Sequence, residues 1–234
     1  MSRPALFHVT HAKAGSTWLA NILRDTFDDP VSPRFGEAVE EYRWCQGTVY
    51  PAVFLSYDEF LKLERAEDSI VFYVIRDIRD SLVSLYFSLR YTHTTEGFPH
   101  VQRFRDKTGG MSDEDGIAFL FEKGSRKLLL MQKSWLKSEM PVIRYEDLIA
   151  SGGGILPGFL RSLGVKFDNT RMSEAIERRG FKKVYKRELG ERDNTSHGRQ
   201  GLPGDWRNFE STRLRGFITD QFNEVLELAG YPLD

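Results

Sequence analysis

The chain has 234 residues, 40% hydrophobic and 29% charged, with 33 Lys and Arg against 34 Asp and Glu; it is long enough for one domain (1–234) with a substantial core, and it lacks the basic excess of a general nucleic-acid binder. A lone cysteine, Cys45, excludes an internal disulfide, and no Cys/His cluster has zinc-ligand spacing. No stretch approaches the roughly 20 apolar residues of a membrane span and the opening apolar run is too short for a signal-peptide core, so a cytoplasmic protein is expected.

In chain order, residues 5–10 read as a short strand, and a small-residue loop follows at 11–16. Trp18, Leu19, Ile22, Leu23 and Phe27 then recur at helical spacing. Residues 28–47, rich in Pro, Gly and acids, read as an irregular excursion, and 57–65 as a short helix. The β-branched and aromatic run 69–75 is the mark of a strand buried on both faces of a parallel sheet, and an amphipathic helix follows through Leu82, Val83, Leu85 and Tyr86. A long helix is expected over 115–138, a second buried strand over 140–145, and helices over about 155–163, 171–178 and 211–229. The segment 179–200 is polar and basic. Strands alternating with helices imply a three-layer α/β/α fold with a central parallel sheet, in which ligands bind beyond the C-terminal ends of the strands.

The chemistry-bearing segments sit at those ends. His11-Ala12-Lys13-Ala14-Gly15-Ser16-Thr17-Trp18 is a small-residue loop entering a helix, a layout that aims backbone N–H groups at an anion while Lys13 adds a charge and Ser16 and Thr17 add hydroxyls. It departs from a Walker loop, because its lysine precedes its only glycine. Arg76-Asp77-Ile78-Arg79-Asp80 closes the second strand, with Ser84 eight residues after Arg76; an Arg offers a two-pronged donor to a phosphate and a Ser on the next helix can reach the same anion. Arg79 and Asp80 read better as a surface ion-pair cluster. A third segment, Arg199-Gln200-Gly201-Leu202-Pro203-Gly204-Asp205-Trp206, would on its own be an unremarkable turn.

Taken together, these segments resemble the sulfotransferase family that uses 3'-phosphoadenosine-5'-phosphosulfate (PAPS). The first is similar to that family's PKSGTTW loop, which holds the 5'-phosphosulfate; the second to its 3'-phosphate motif; the third to its R-K-G-x-x-G-D-W. The resemblance covers about residues 5–209, in the family's order, and implies a P-loop-like sulfotransferase fold releasing 3',5'-ADP, with no metal expected. By resemblance, Lys13, Ala14, Gly15, Ser16, Thr17 and Trp18 line the 5' end, with Lys13 stabilising the bridging oxygen. Arg76, Ser84, Arg199, Gln200 and Gly201 hold the 3'-phosphate, although Gln200 stands where the family has a lysine. Tyr145, in Tyr145-Glu146-Asp147-Leu148, contacts the nucleotide, and Phe181 faces the adenine opposite Trp18. Asp205 and Trp206 anchor the loop.

The resemblance implies an acceptor bearing a hydroxyl or amine, a small molecule or a glycan, and the loops that would recognise it match no specific class. The histidine that serves cytosolic members as base has no counterpart in 48–55, so His93 is the first candidate base and Glu41, beside Glu37 and Glu40, the second. Two other readings stay open: a P-loop kinase using ATP and Mg²⁺, and a non-catalytic PAP-binding scaffold of the same fold.

Overall fold

Strand β1 (Leu6–Thr10) is buried at every position, as a strand covered on both faces must be. The computed structural model describes residues 3–28, 44–218 and 220–233. β1 lies between β2 (Val49–Val53) and β3 (Ile70–Ile75), and β3 pairs onward with β4 (Val142–Arg144). Every pairing is parallel, in the order β2-β1-β3-β4. The α/β expectation therefore holds.

The sheet acquires one strand that the sequence reading left out. β2 contains Pro51, which belongs on an edge strand because it cannot donate to a ladder, and Ala52 sits at φ 62. The register with β1 slips between Phe7 and Val9, and the displaced Ala52 amide donates to Nδ1 of the buried His8 at 3.1 Å. A ring nitrogen stands in for the missing carbonyl of the ladder.

Eleven α-helices are assigned among the described residues: α1 (Ser16–Thr26), α2 (Tyr57–Leu61), α3 (Ile78–Phe87), α4 (Pro99–Thr108), α5 (Asp113–Leu136), α6 (Tyr145–Ala150), α7 (Leu156–Ser162), α8 (Asn169–Arg178), α9 (Phe181–Tyr185), α10 (Thr212–Arg215) and α11 (Asp220–Ala229). The expected continuous helix over 211–229 is thus two pieces, α10 and α11. Alternation along the strands sends side chains to two cores. Phe7, Val9, Tyr73 and Ile75 face Phe60, Leu82, Phe121, Trp135 and Phe222 from α2, α3, α5 and α11. Leu6, Phe72, Val74 and Ile143 face Leu19, Ile22, Leu148, Leu160 and Met172 from α1, α6, α7 and α8. Trp135 anchors the first layer: it stacks on Tyr73 with centroids 5.3 Å apart, and its indole N–H donates to the Leu55 carbonyl at 2.8 Å.

Charge as well as apolar surface is built into the interior. Arg79 and Asp80 are fully buried, which corrects their reading as a surface cluster. The Arg79 guanidinium grips Asp77 at 2.7 Å, donates to the Pro232 carbonyl at 2.7 Å, and lies 3.9 Å over the Trp206 ring. Asp80 accepts the amides of Gly204 at 2.6 Å and Trp206 at 3.0 Å, so it fastens the third motif to α3. Tyr231 donates to Glu146 at 2.6 Å, and Glu146 also accepts the Asp77 amide. Removing one partner of a buried pair leaves the other uncompensated, so Arg79→Ala should lower unfolding stability by about 3–5 kcal/mol. Urea denaturation checks this; a loss under about 1 kcal/mol would show that Arg79 does not hold the two motifs together.

Candidate active site

The loop between β1 and α1 turns through two left-handed residues, Lys13 at φ 70 and Gly15 at φ 75. Gly15 is required twice over: besides its backbone angle, a Cβ there would come within 2.8 Å of the Tyr145 ring. The turn leaves the amides of Ser16, Thr17 and Trp18 at the head of α1 without partners inside the helix, the arrangement that attracts anions. Ser16 is half-buried and Thr17 exposed, while Ala14 is buried beneath the loop.

Tyr145 brings the motifs together. Its ring packs on Gly15, the Arg76 guanidinium lies 4.5 Å over its face, and its hydroxyl donates to the Gly201 carbonyl at 2.8 Å. Arg76 in turn donates to the Lys13 carbonyl at 3.0 Å and sits 3.6 Å from Asp80. Ser84 lies four residues beyond Asp80 on α3, one turn further along the same face, and is half-buried. Arg199 is buried against Asp205, with its guanidinium 4.2 Å over the Phe87 ring.

Positive charge is concentrated here. Lys13 is pushed down to about 8, by burial first and then by Arg76 and Arg199. Arg199 is held down to about 10 by burial and by Arg192 and Arg76. Yet Nε of Arg76, and Nε and Nη1 of Arg199, are buried donors with no hydrogen-bond partner among the described residues. Cations that repel one another and keep N–H groups available form an arrangement that a polyanion would stabilise.

The 180–201 segment closes over this cluster. Arg187 donates to the carbonyls of Gly198 at 2.6 Å and Arg199 at 2.7 Å, and stacks over Phe181 and Tyr185. Gly201, at φ 76, admits the Phe181 ring, which a Cβ would meet at 2.6 Å. Gln200 accepts from the Gly190 amide through its backbone at 2.9 Å, while its side chain turns to Arg192 at 3.4 Å. Several cations in and just before the segment are paired: Lys182 with Glu188, Lys183 with Glu177, and Arg178 and Arg179 with Asp25 of α1. Trp18 is half-buried in the second core, near Gly153.

His93 caps a π-helical turn (Ser88–Thr92) that continues α3, and such turns recur at functional sites. Its Nδ1 lies 3.1 Å from the Thr94 carbonyl and must donate there, which leaves Nε2 as the basic nitrogen. Glu41, with Glu37 and Glu40, lies outside the described residues.

One histidine escaped the sequence reading. His197 is pushed down to about 4, chiefly by the Lys13 ammonium, then by burial and by His93. It therefore stands near both groups, neutral at pH 7. Its place two residues before Arg199 was the available signal.

The sulfotransferase domain family matches residues 3–230. The chain belongs to that family. A flavonol sulfotransferase-like protein of Flaveria bidentis is 24% identical over 96% of this sulfotransferase and 82% of its own length. Solved structures agree in fold. Mouse sulfotransferase SULT7A1 complexed with PAP matches with a TM-score of 0.68 at 17% identity, covering 98% of this chain and 89% of that one. Retinol dehydratase in complex with androsterone and PAP matches with a TM-score of 0.60 at 12% identity, covering 96% and 81%.

The electrostatic coupling has a measurable sign. Removing a neighbouring cation favours the protonated amine, so Arg199→Ala should move Lys13 titration upward from about 8. Trace acylation across pH 6–11, read by peptide mass spectrometry, measures it; an unchanged midpoint would place Arg199 out of electrostatic reach.

Proposed function

We propose that this sulfotransferase moves the sulfuryl group of PAPS to a hydroxyl or amine on a small-molecule or glycan acceptor, releasing 3',5'-ADP, with residues 1–234 acting as one cytoplasmic catalytic domain. The observation that carries the reading is the pair of buried arginines, Arg76 and Arg199, which keep three N–H-bearing nitrogens unpartnered among the described residues while repelling each other. A terminal phosphate monoester is the group that satisfies both. Arg76, Arg199, Ser84 and the backbone of Gln200 and Gly201 would hold the 3'-phosphate. The amides after Gly15, with Ser16 and Thr17, would hold the 5' end. Trp18 and Phe181 would flank the adenine, with Tyr145 beneath the nucleotide.

In the transfer, the bond between sulfur and the bridging phosphate oxygen breaks as the acceptor oxygen or nitrogen bonds to sulfur. Lys13 neutralises charge building on the leaving oxygen, a role that needs its cationic form. The acceptor proton goes to Nε2 of His93, whose tautomer already presents a lone pair. PAP in the structural neighbours, and androsterone and retinol in the retinol dehydratase complexes, support a nucleotide site beside a small-molecule acceptor. A kinase reading has no counterpart to the Walker lysine that follows the glycine.

Calorimetric titration without metal tests the reading. 3',5'-ADP should bind well, 5'-AMP at least tenfold more weakly, and Arg76→Ala should lose about ten- to a hundredfold, the range for charge-assisted hydrogen bonds. Tighter binding of ATP with Mg²⁺ than of 3',5'-ADP would replace this function with phosphoryl transfer. Binding of 3',5'-ADP with no turnover of PAPS against a broad acceptor panel would leave a non-catalytic scaffold.

A further inference from the structure

Beneath the cation cluster lies a buried polar group that the transfer does not use. Gln132 projects from α5 in the middle of the run Leu128-Leu129-Leu130-Met131 and Trp135, on the buried face shared with Phe121 and Ser125. Its amide nitrogen lies 2.7 Å from Nε2 of His11 and 2.8 Å from the Arg76 carbonyl. Its own oxygen has no partner among the described residues. An apolar residue would fill this position without stranding an acceptor, so the amide has a use beyond packing.

The hydrogen-bond directions follow from the partners. Nδ1 of His11 faces the Ala12 carbonyl at 3.0 Å and must donate to it, so His11 is neutral and its Nε2 accepts from Gln132. The Gln132 amide then spends both protons, one on His11 and one on the Arg76 carbonyl. Turned over, it would set its oxygen against two acceptors. Arg76 completes a loop by donating from its guanidinium to the Lys13 carbonyl at 3.0 Å. The path runs Ala12, His11, Gln132, Arg76, Lys13, and closes through the Ala12–Lys13 peptide bond.

We propose that Gln132 and His11 are positioning residues: they form a buried hydrogen-bonded ring that fixes the left-handed backbone at Lys13 and couples the arginine at one end of the site to the anion-binding loop at the other. Burial holds His11 down to about 4, with Arg76 adding to the effect, so the ring keeps one protonation state at physiological pH. The groups facing Lys13 are Arg76, Arg199 and His197; those facing His11 are Gln132, Arg76 and the Tyr73 ring. Naming the two ends as 3'-phosphate and phosphosulfate rests on the proposed function; the ring itself does not.

Gln132→Leu removes both donations while preserving bulk. The freed loop should let Lys13 reach solvent, so its acylation midpoint should rise from about 8 towards the ordinary 10.5. Turnover of PAPS should fall at least tenfold while 3',5'-ADP affinity changes less than threefold. A folded Gln132→Leu protein with Lys13 still titrating near 8 and turnover within twofold would overturn the proposal. His11→Phe, which keeps a ring but neither nitrogen, should behave alike. If neither variant folds by circular dichroism, the contacts are structural and the proposal falls. Failure of the wild-type protein to bind 3',5'-ADP would sink only the cofactor reading, since the Lys13 titration needs no nucleotide.

Discussion

Three cations, Lys13, Arg76 and Arg199, share one partly buried space at the C-terminal edge of the sheet, and most of the surrounding architecture follows from that. Burial lowers Lys13 and Arg199 first, and repulsion between like charges in a low-dielectric setting lowers them further. The fold supplies only partial compensation. Asp80 divides its oxygens between Arg76 and two backbone amides, and Asp205 serves both Arg192 and Arg199. What is left over is an excess of positive charge that a bound anion would offset.

Tyr145 answers the mechanical side of that problem. One aromatic ring touches Gly15, supports Arg76 through its face and holds Gly201 through its hydroxyl. Segments separated by more than a hundred residues are thereby set at fixed spacing, with the sheet as their common base. A rigid element carries each contact, which keeps the loops in register better than loop-to-loop contacts would.

Much of this was legible in the chain. Lys13, Gly15, Arg76, Tyr145 and Arg199 fall at strand ends and in loops, where neither packing nor helical periodicity gives charged or glycine residues a reason to cluster. Strand β2 was not legible, because Pro51 and the left-handed Ala52 break the pattern and a histidine ring repairs it from another strand. The break between α10 and α11 was hidden by a continuous helical spacing of Leu214, Phe217, Ile218, Phe222 and Val225. Arg79 and Asp80 looked like surface residues because their partners, Asp77 and Arg76 apart, come from residues 204–232. Gln132 carried a local signal, a lone amide on the apolar face of a helix, but its meaning depends on His11, 121 positions away.

Tyr231 and Pro232 also bear on when the cation cluster can be completed. Arg79 finds an acceptor at Pro232, and Tyr231 closes onto Glu146, whose other oxygen receives the amide of Asp77. During synthesis the ribosome delivers the arginine motif some 150 residues before those partners, as the 153-residue separation of Arg79 and Pro232 records. A nascent chain can assemble the sheet early, but the floor of the cation cluster is completed only once residues 231 and 232 have emerged.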